Sequence, residues 1–186
     1  MRCILCSLVL ALGVALPAQA DEIGDTIRAA LEAYEGGDVS LAKEELDYAN
    51  QLLGQLKAEG LTDFLPEALP GWTRGEAETQ AIGAAAFGGG LTAEASYTGG
   101  SGSITLRLMA DNPMVAAMST ALGNAAIMGS MGTVKRINRQ KLVVTPQGEI
   151  QALVDNKVLI QIDGSGSVED KLSYFERLDI RGLKAF

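Results

Sequence analysis

The residues best suited to chemistry lie in the turn Asp163-Gly164-Ser165-Gly166-Ser167, which follows the apolar run 158–162. One carboxylate and two hydroxyls at alternate positions offer three oxygen ligands, the donor type that a hard divalent cation prefers. The same residues also fit a strand-to-helix connection, in which the two glycines make the turn and Ser167 caps the following helix. We favour the turn and keep a metal site at Asp163, Ser165 and Ser167 as the alternative.

This turn resembles the metal-ion-dependent adhesion site of von Willebrand A-type domains, where a strand-end Asp-x-Ser-x-Ser holds a divalent cation. The resemblance covers about a dozen positions. In that family the motif ends the first strand of a doubly wound domain, and later loops supply a threonine and a second aspartate. Only 19 residues follow Ser167, so we expect no such loops after it.

Five methionines cluster in the stretch 109–131. They are Met109, Met114, Met118, Met128 and Met131. Thioethers bind copper(I), and the spacings Met114 to Met118 and Met128 to Met131 place each pair on one face of a helix. Methionine is also an ordinary gap-filler of protein cores. We predict core packing and keep copper(I) binding as the alternative.

Four cations stand close together in an otherwise acidic chain: Lys135, Arg136, Arg139 and Lys141. Such a cluster either protects an exposed edge strand from aggregation or forms a docking patch for an anionic partner. We favour the first interpretation.

The residue types also limit catalysis. Once the N-terminal segment is removed, the chain contains neither cysteine nor histidine, which excludes thiol nucleophiles, Ser-His-Asp triads and most zinc sites. The remaining acids at turns and helix starts are typical of capping. They are Asp111, Asp155, Asp163, Glu169 and Asp170. We predict that the protein is not an enzyme and needs no cofactor, with an unrecognised carboxylate-based enzyme as the third hypothesis.

The segment 1–20 is typical of a secretory signal peptide. Arg2 precedes an apolar run, and Ala18-Gln19-Ala20 supplies small residues for cleavage after Ala20. Both cysteines lie in this segment, and Cys6 does not sit where a lipid anchor would be attached. We predict a periplasmic mature protein that begins at Asp21, without lipid anchor or stable membrane insertion. Its net charge of −9 disfavours nucleic acid and anionic lipid as partners.

Residues 21–64 are predicted to form a helical hairpin. Apolar residues recur at helical spacing on both sides of Gly36-Gly37, with Asp38 or Ser40 as the second cap. The predicted apolar faces comprise Ile23, Ile27, Ala30, Leu31 and Tyr34, then Leu41, Ala42, Leu46, Ala49, Leu52, Leu53 and Leu56. The hairpin resembles one unit of tetratricopeptide-type repeats. No second copy follows, so we predict a lone hairpin that packs on the main domain or acts as a spacer.

The segment 65–71 is a proline-rich joint, since Pro66 and Pro70 cannot continue a helix. It separates the hairpin from a predicted α+β domain over 72–186, in which Trp72 closes the entrance to the core. The expected elements are a β-hairpin (91–97 and 104–108), a helix from Pro113 to about Gly129, a three-stranded meander (134–145, 149–154, 158–163) and a last helix after Ser167. We expect an antiparallel sheet with helices on one face.

Together these features predict an exported, non-catalytic binding or accessory protein that contacts another envelope protein. The alternative is a periplasmic ligand carrier. In that hypothesis the Gly-rich segment 88–90 and the methionine-rich helix would line a pocket for copper(I) or a small apolar molecule.

Overall fold

The computed structural model describes residues 19–82, 90–100 and 102–186. Within these ranges the chain forms six helices and eight strands. The helices are α1 (Gln19–Glu35), α2 (Val39–Thr62), α3 (Pro113–Gly123), α4 (Ala125–Met131), α5 (Val168–Glu176) and α6 (Ile180–Ala185). The strands are β1 (Trp72–Arg74), β2 (Glu78–Ile82), β3 (Gly90–Gly99), β4 (Gly102–Ala110), β5 (Thr133–Ile137), β6 (Gln140–Val144), β7 (Ile150–Val154) and β8 (Val158–Asp163).

The chain divides into two compact units, Met1–Leu46 and Asp47–Phe186. The division falls inside the continuous helix α2. Most of the predicted signal peptide, residues 1–18, lies outside the described residues, as do residues 83–89 and with them most of the segment 88–90.

All eight described strands belong to one antiparallel sheet, in the order β1-β3-β4-β8-β7-β6-β5, with β2 also paired to β3. This confirms the predicted α+β class with an antiparallel sheet. The long β3–β4 hairpin runs in register from Leu91 opposite Ala110 to Gly99 opposite Gly102. Strand β5 forms one edge of the sheet, because it pairs only with β6 among the described strands.

Helices cover both faces of the sheet, whereas they were predicted to lie on one face only. The main core lies on one face and includes side chains of α5 and α6, such as Tyr174 and Leu183. A second core lies on the opposite face, under α3 and α4, and buries Met109 and Leu159 from the strands. Both faces are apolar because consecutive residues such as Leu159 and Ile160 are buried on alternate sides of the same strand.

The predicted run 134–145 is two strands instead of one, so the meander has four strands. Asn138 and Arg139 both have positive φ, at 50° and 64°, and make a two-residue turn between β5 and β6. The short strands β1 and β2 were not predicted. Trp72, in β1, packs partly buried against the main core and meets Tyr174 edge-on at 5.7 Å between ring centroids.

The predicted helix 113–129 is broken at Asn124, where α3 and α4 meet at a bend of 99°. The Asn124 side chain accepts hydrogen bonds from the amides of Ala126 and Ile127, so it caps a new helix instead of continuing the old one. None of the single helices in the described ranges has the length and apolar composition of a membrane span, and only this bent pair meets those criteria jointly.

Candidate functional site

The helical hairpin formed by α1 and the first part of α2 is closed by a hydrogen-bonded turn. The Asp38 amide donates to the Ala33 carbonyl at 2.9 Å and the Gly37 amide to Tyr34 at 3.1 Å, with Gly37 at φ 85°. This is a Schellman motif, which requires a residue such as glycine at the left-handed position. Asp38 then caps α2, because its carboxylate accepts from the Leu41 amide at 3.0 Å.

Most of the large apolar residues of the hairpin are exposed, whereas Ile23 and several alanines are buried. Ala30 and Ala42 are 3% and 5% exposed, whereas Leu31 and Tyr34 are 56% and 67% exposed. The predicted apolar faces are therefore largely wrong as a list of buried residues. The residues predicted to be buried but found exposed are Ile27, Leu31, Tyr34, Leu41, Leu46, Leu53 and Leu56. The small side chains are covered, and the larger ones remain in contact with solvent.

These exposed side chains line a groove of about 420 Å³. Its lining is almost wholly apolar and consists of Ile27, Ala30, Leu31, Tyr34, Ala42 and Leu46. All six residues belong to the N-terminal unit. A contiguous apolar surface of this kind on a protein marks a place where another molecule binds.

The segment that contains this groove is acidic. The segment 22–46 carries seven acidic and two basic side chains, a net charge of −5. Glu32, Glu35 and Asp38 are exposed on the helix ends and turn next to Tyr34. Arg28 is paired with Asp25, which reduces the positive charge available to a partner. The groove therefore combines an apolar lining with a segment of net negative charge.

The turn Asp163 to Ser167 is used for structure. Ser167 Oγ accepts from the Asp170 amide at 3.1 Å, which is the predicted cap of α5, and it donates to the Asp170 carboxylate at 2.6 Å. Ser165 Oγ accepts from the Ser103 amide at 3.1 Å. Asp163 lies 3.9 Å from Arg107. The three candidate metal ligands thus have separate protein partners, and the described ranges contain no group of three or more His, Cys, Asp or Glu arranged to hold a metal.

The methionines pack as core residues. Met109 and Met128 are buried in the second core, and Met118 and Met131 pack against it. Met114 is half exposed. This is the packing role predicted for the cluster, and the copper(I) alternative stays a hypothesis.

A polar row crosses the sheet at residues that the sequence analysis did not select. Glu94, Arg107, Gln161 and Gln151 are successive neighbours in register on β3, β4, β8 and β7. Arg107 donates to Glu94 Oε2 at 2.6 Å. The row borders a polar groove of about 460 Å³ that Glu78 and Asn112 also line. In the sequence, the only sign of this row is the alternation of polar and apolar residues in β3 and β4. Which polar residues become neighbours across the sheet depends on the strand order, which this alternation does not give.

The acids considered for catalysis are dispersed and have structural roles. Asp111 pairs with Lys57 at 2.6 Å, and Asp155 lies in the β7–β8 turn at φ 50°.

Comparison of the chain with known protein families, curated proteins and solved structures found no match.

Proposed function

We propose that this protein is an exported, non-catalytic binding module that docks a basic amphipathic helix of an envelope protein in the apolar groove between α1 and α2. The observation that carries the proposal is the groove itself, with the large side chains Leu31, Tyr34 and Leu46 directed away from the hairpin contact. An amphipathic helix buries its apolar face in such a groove through anchors spaced three or four residues apart.

The negative charge of the segment 22–46 favours a positively charged partner helix. Lysine and arginine beside the apolar face of the bound helix would meet the acidic residues of this segment, which favours correct partners and speeds encounter. A second copy of the same hairpin is disfavoured, since it would bring two surfaces of net charge −5 together. The predicted signal peptide supports the periplasm as the compartment in which this binding occurs.

The proposal is tested by titrating the mature protein with a synthetic leucine-lysine amphipathic helix and with the matching leucine-glutamate peptide. We expect the lysine peptide to bind and its affinity to fall with added salt, because exposed charges are screened. Leu31→Glu should weaken binding about tenfold or more, since it buries a charge in the groove.

Val39→Glu is the matched control. Val39 is 67% exposed on the same hairpin but does not line the groove, so the variant adds the same charge outside the proposed contact. Equal weakening by both variants, or equal binding of the two peptides, would contradict the proposal. In cells, a photo-reactive residue at position 31 should crosslink to a partner and one at position 39 should not.

A further inference from the structure

The β5–β6 hairpin carries an uncompensated positive charge. Lys135, Arg136, Arg139 and Lys141 are all exposed, and none forms an ion pair with an acidic residue of the described ranges. Arg136 and Lys141 are direct cross-strand neighbours. Like charges in that position destabilise a strand pair. The cations lie on an exposed edge strand, as the sequence predicted, and their unpaired charge is also available to an anionic partner.

The tip of this hairpin is held in place although it contains a disfavoured conformation. Arg139 occupies the second position of the turn at φ 64°, where glycine is preferred. Asn138 Nδ2 donates to the Glu176 carbonyl at 2.9 Å, and Ile137 packs against the main core. The cations are thus presented on a fixed scaffold.

The open side of β5 offers unpaired backbone groups. In a hairpin with a two-residue turn, the closing pair Ile137 and Gln140 is hydrogen-bonded, and the pairs then alternate along the strands. The amides and carbonyls of Val134 and Arg136 therefore face away from β6. Neither residue makes a backbone hydrogen bond to another described element outside the hairpin.

We propose that the edge of β5 binds an extended acidic segment of a partner protein by strand addition. The backbone of Val134 and Arg136 pairs with the incoming strand, and the four cations meet its acidic side chains. An extended peptide fits better than a membrane or a nucleic acid, because only a strand satisfies the outward backbone groups. A chain with net charge −8 is also repelled by a large anionic surface. This surface belongs to the second unit and is independent of the hairpin groove.

The experiment titrates the mature protein with a short peptide in which glutamate alternates with threonine and valine. We expect binding, together with about tenfold or greater slowing of hydrogen exchange at the amides of Val134 and Arg136. The double variant R136E/K141E should lose binding. A control double variant, K157E/K184E, changes the net charge equally at exposed lysines outside the hairpin and should retain it.

Val134→Pro separates strand addition from simple charge attraction. Proline removes the outward amide but keeps all four cations, and an edge position tolerates it. Loss of binding in this variant supports strand addition, whereas retained binding overturns it. Binding of phosphatidylglycerol vesicles without binding of the peptide would also overturn the proposal. Should Val134→Pro not fold, hydrogen exchange at Val134 and Arg136 in the unmodified protein decides: unchanged exchange on peptide addition overturns strand addition.

Discussion

The hydroxyl of Tyr97 donates a 2.7 Å hydrogen bond to the carbonyl of Pro66. This contact fastens the proline-rich joint to the sheet, because Tyr97 projects from β3 and is completely buried. Tyr174 adds a second contact, since its hydroxyl accepts from the Leu69 amide at 3.2 Å and its ring packs against that of Tyr97, tilted by 38° at 4.2 Å between centroids. The joint is thus part of the folded second unit and not a free linker.

Tyr97→Phe should lower the free energy of unfolding by about 1–3 kcal/mol, because it leaves the Pro66 carbonyl without its partner. Urea denaturation of the mature protein measures this change. Tyr34→Phe is the control, since Tyr34 is 67% exposed and its hydroxyl has no buried partner to abandon. Equal effects of the two substitutions would show that the Tyr97 hydrogen bond does not stabilise the joint.

The same tyrosine should make stability sensitive to alkaline pH. Burial raises the pKa of Tyr97 from 10.0 to about 12, and burial also raises the pKa of Tyr174. Since the native state holds the phenolic proton more tightly than the unfolded state, the stabilisation is fully present below pH 10 and is lost as the pH rises towards 12. The urea midpoint of unfolding should decrease with pH less steeply in Tyr97→Phe than in the unmodified protein. The decrease that remains in the variant is due to Tyr174. An identical slope in both proteins would contradict the assignment.

Gly99→Ala should destabilise the protein by about 1–3 kcal/mol through overpacking. A Cβ at Gly99 would overlap the indole ring of Trp72, which lies opposite it in the β1–β3 pair. Gly100→Ala serves as the control, because a Cβ there meets no atom within 4 Å. Thermal unfolding midpoints distinguish the two variants. An unchanged midpoint for Gly99→Ala would mean that the Trp72 side chain can shift from its position against the core.

The sequence was sufficient to predict the elements whose pattern is local. The alternation in β3 and β4, the Asn112-Pro113 start of α3 and the Ser167 cap of α5 each depend on a few neighbouring residues. The β5–β6 turn was missed because its usual signal is glycine after asparagine, and this chain has Arg139 there. The break at Asn124 was missed because asparagine within an alanine-rich run indicates a helix cap only when the chain actually bends.

The candidate sites were less predictable than the fold. Helical periodicity identified the apolar residues of the hairpin, but it does not show which of them a neighbouring helix covers. The small residues Ala30 and Ala42 are buried, whereas Leu31 and Tyr34 are exposed. The basic cluster was predicted to lie on an exposed edge strand, and the position of β5 at the end of the strand order confirms this.

Arg139→Gly should raise the free energy of unfolding by about 1 kcal/mol, because glycine adopts the positive φ of the β5–β6 turn without steric cost. Arg139→Ala is the matched control: it removes the same charge but keeps a Cβ at φ 64°, so it should give no comparable gain. Urea denaturation at high and low salt separates strain from charge repulsion, since salt screens only the repulsion. If both substitutions stabilise equally and only at low salt, the cost of Arg139 is electrostatic and the turn is unstrained. If glycine alone stabilises at both salt concentrations, the chain retains a conformationally costly arginine at the tip of its cationic edge, as expected for a residue kept for binding.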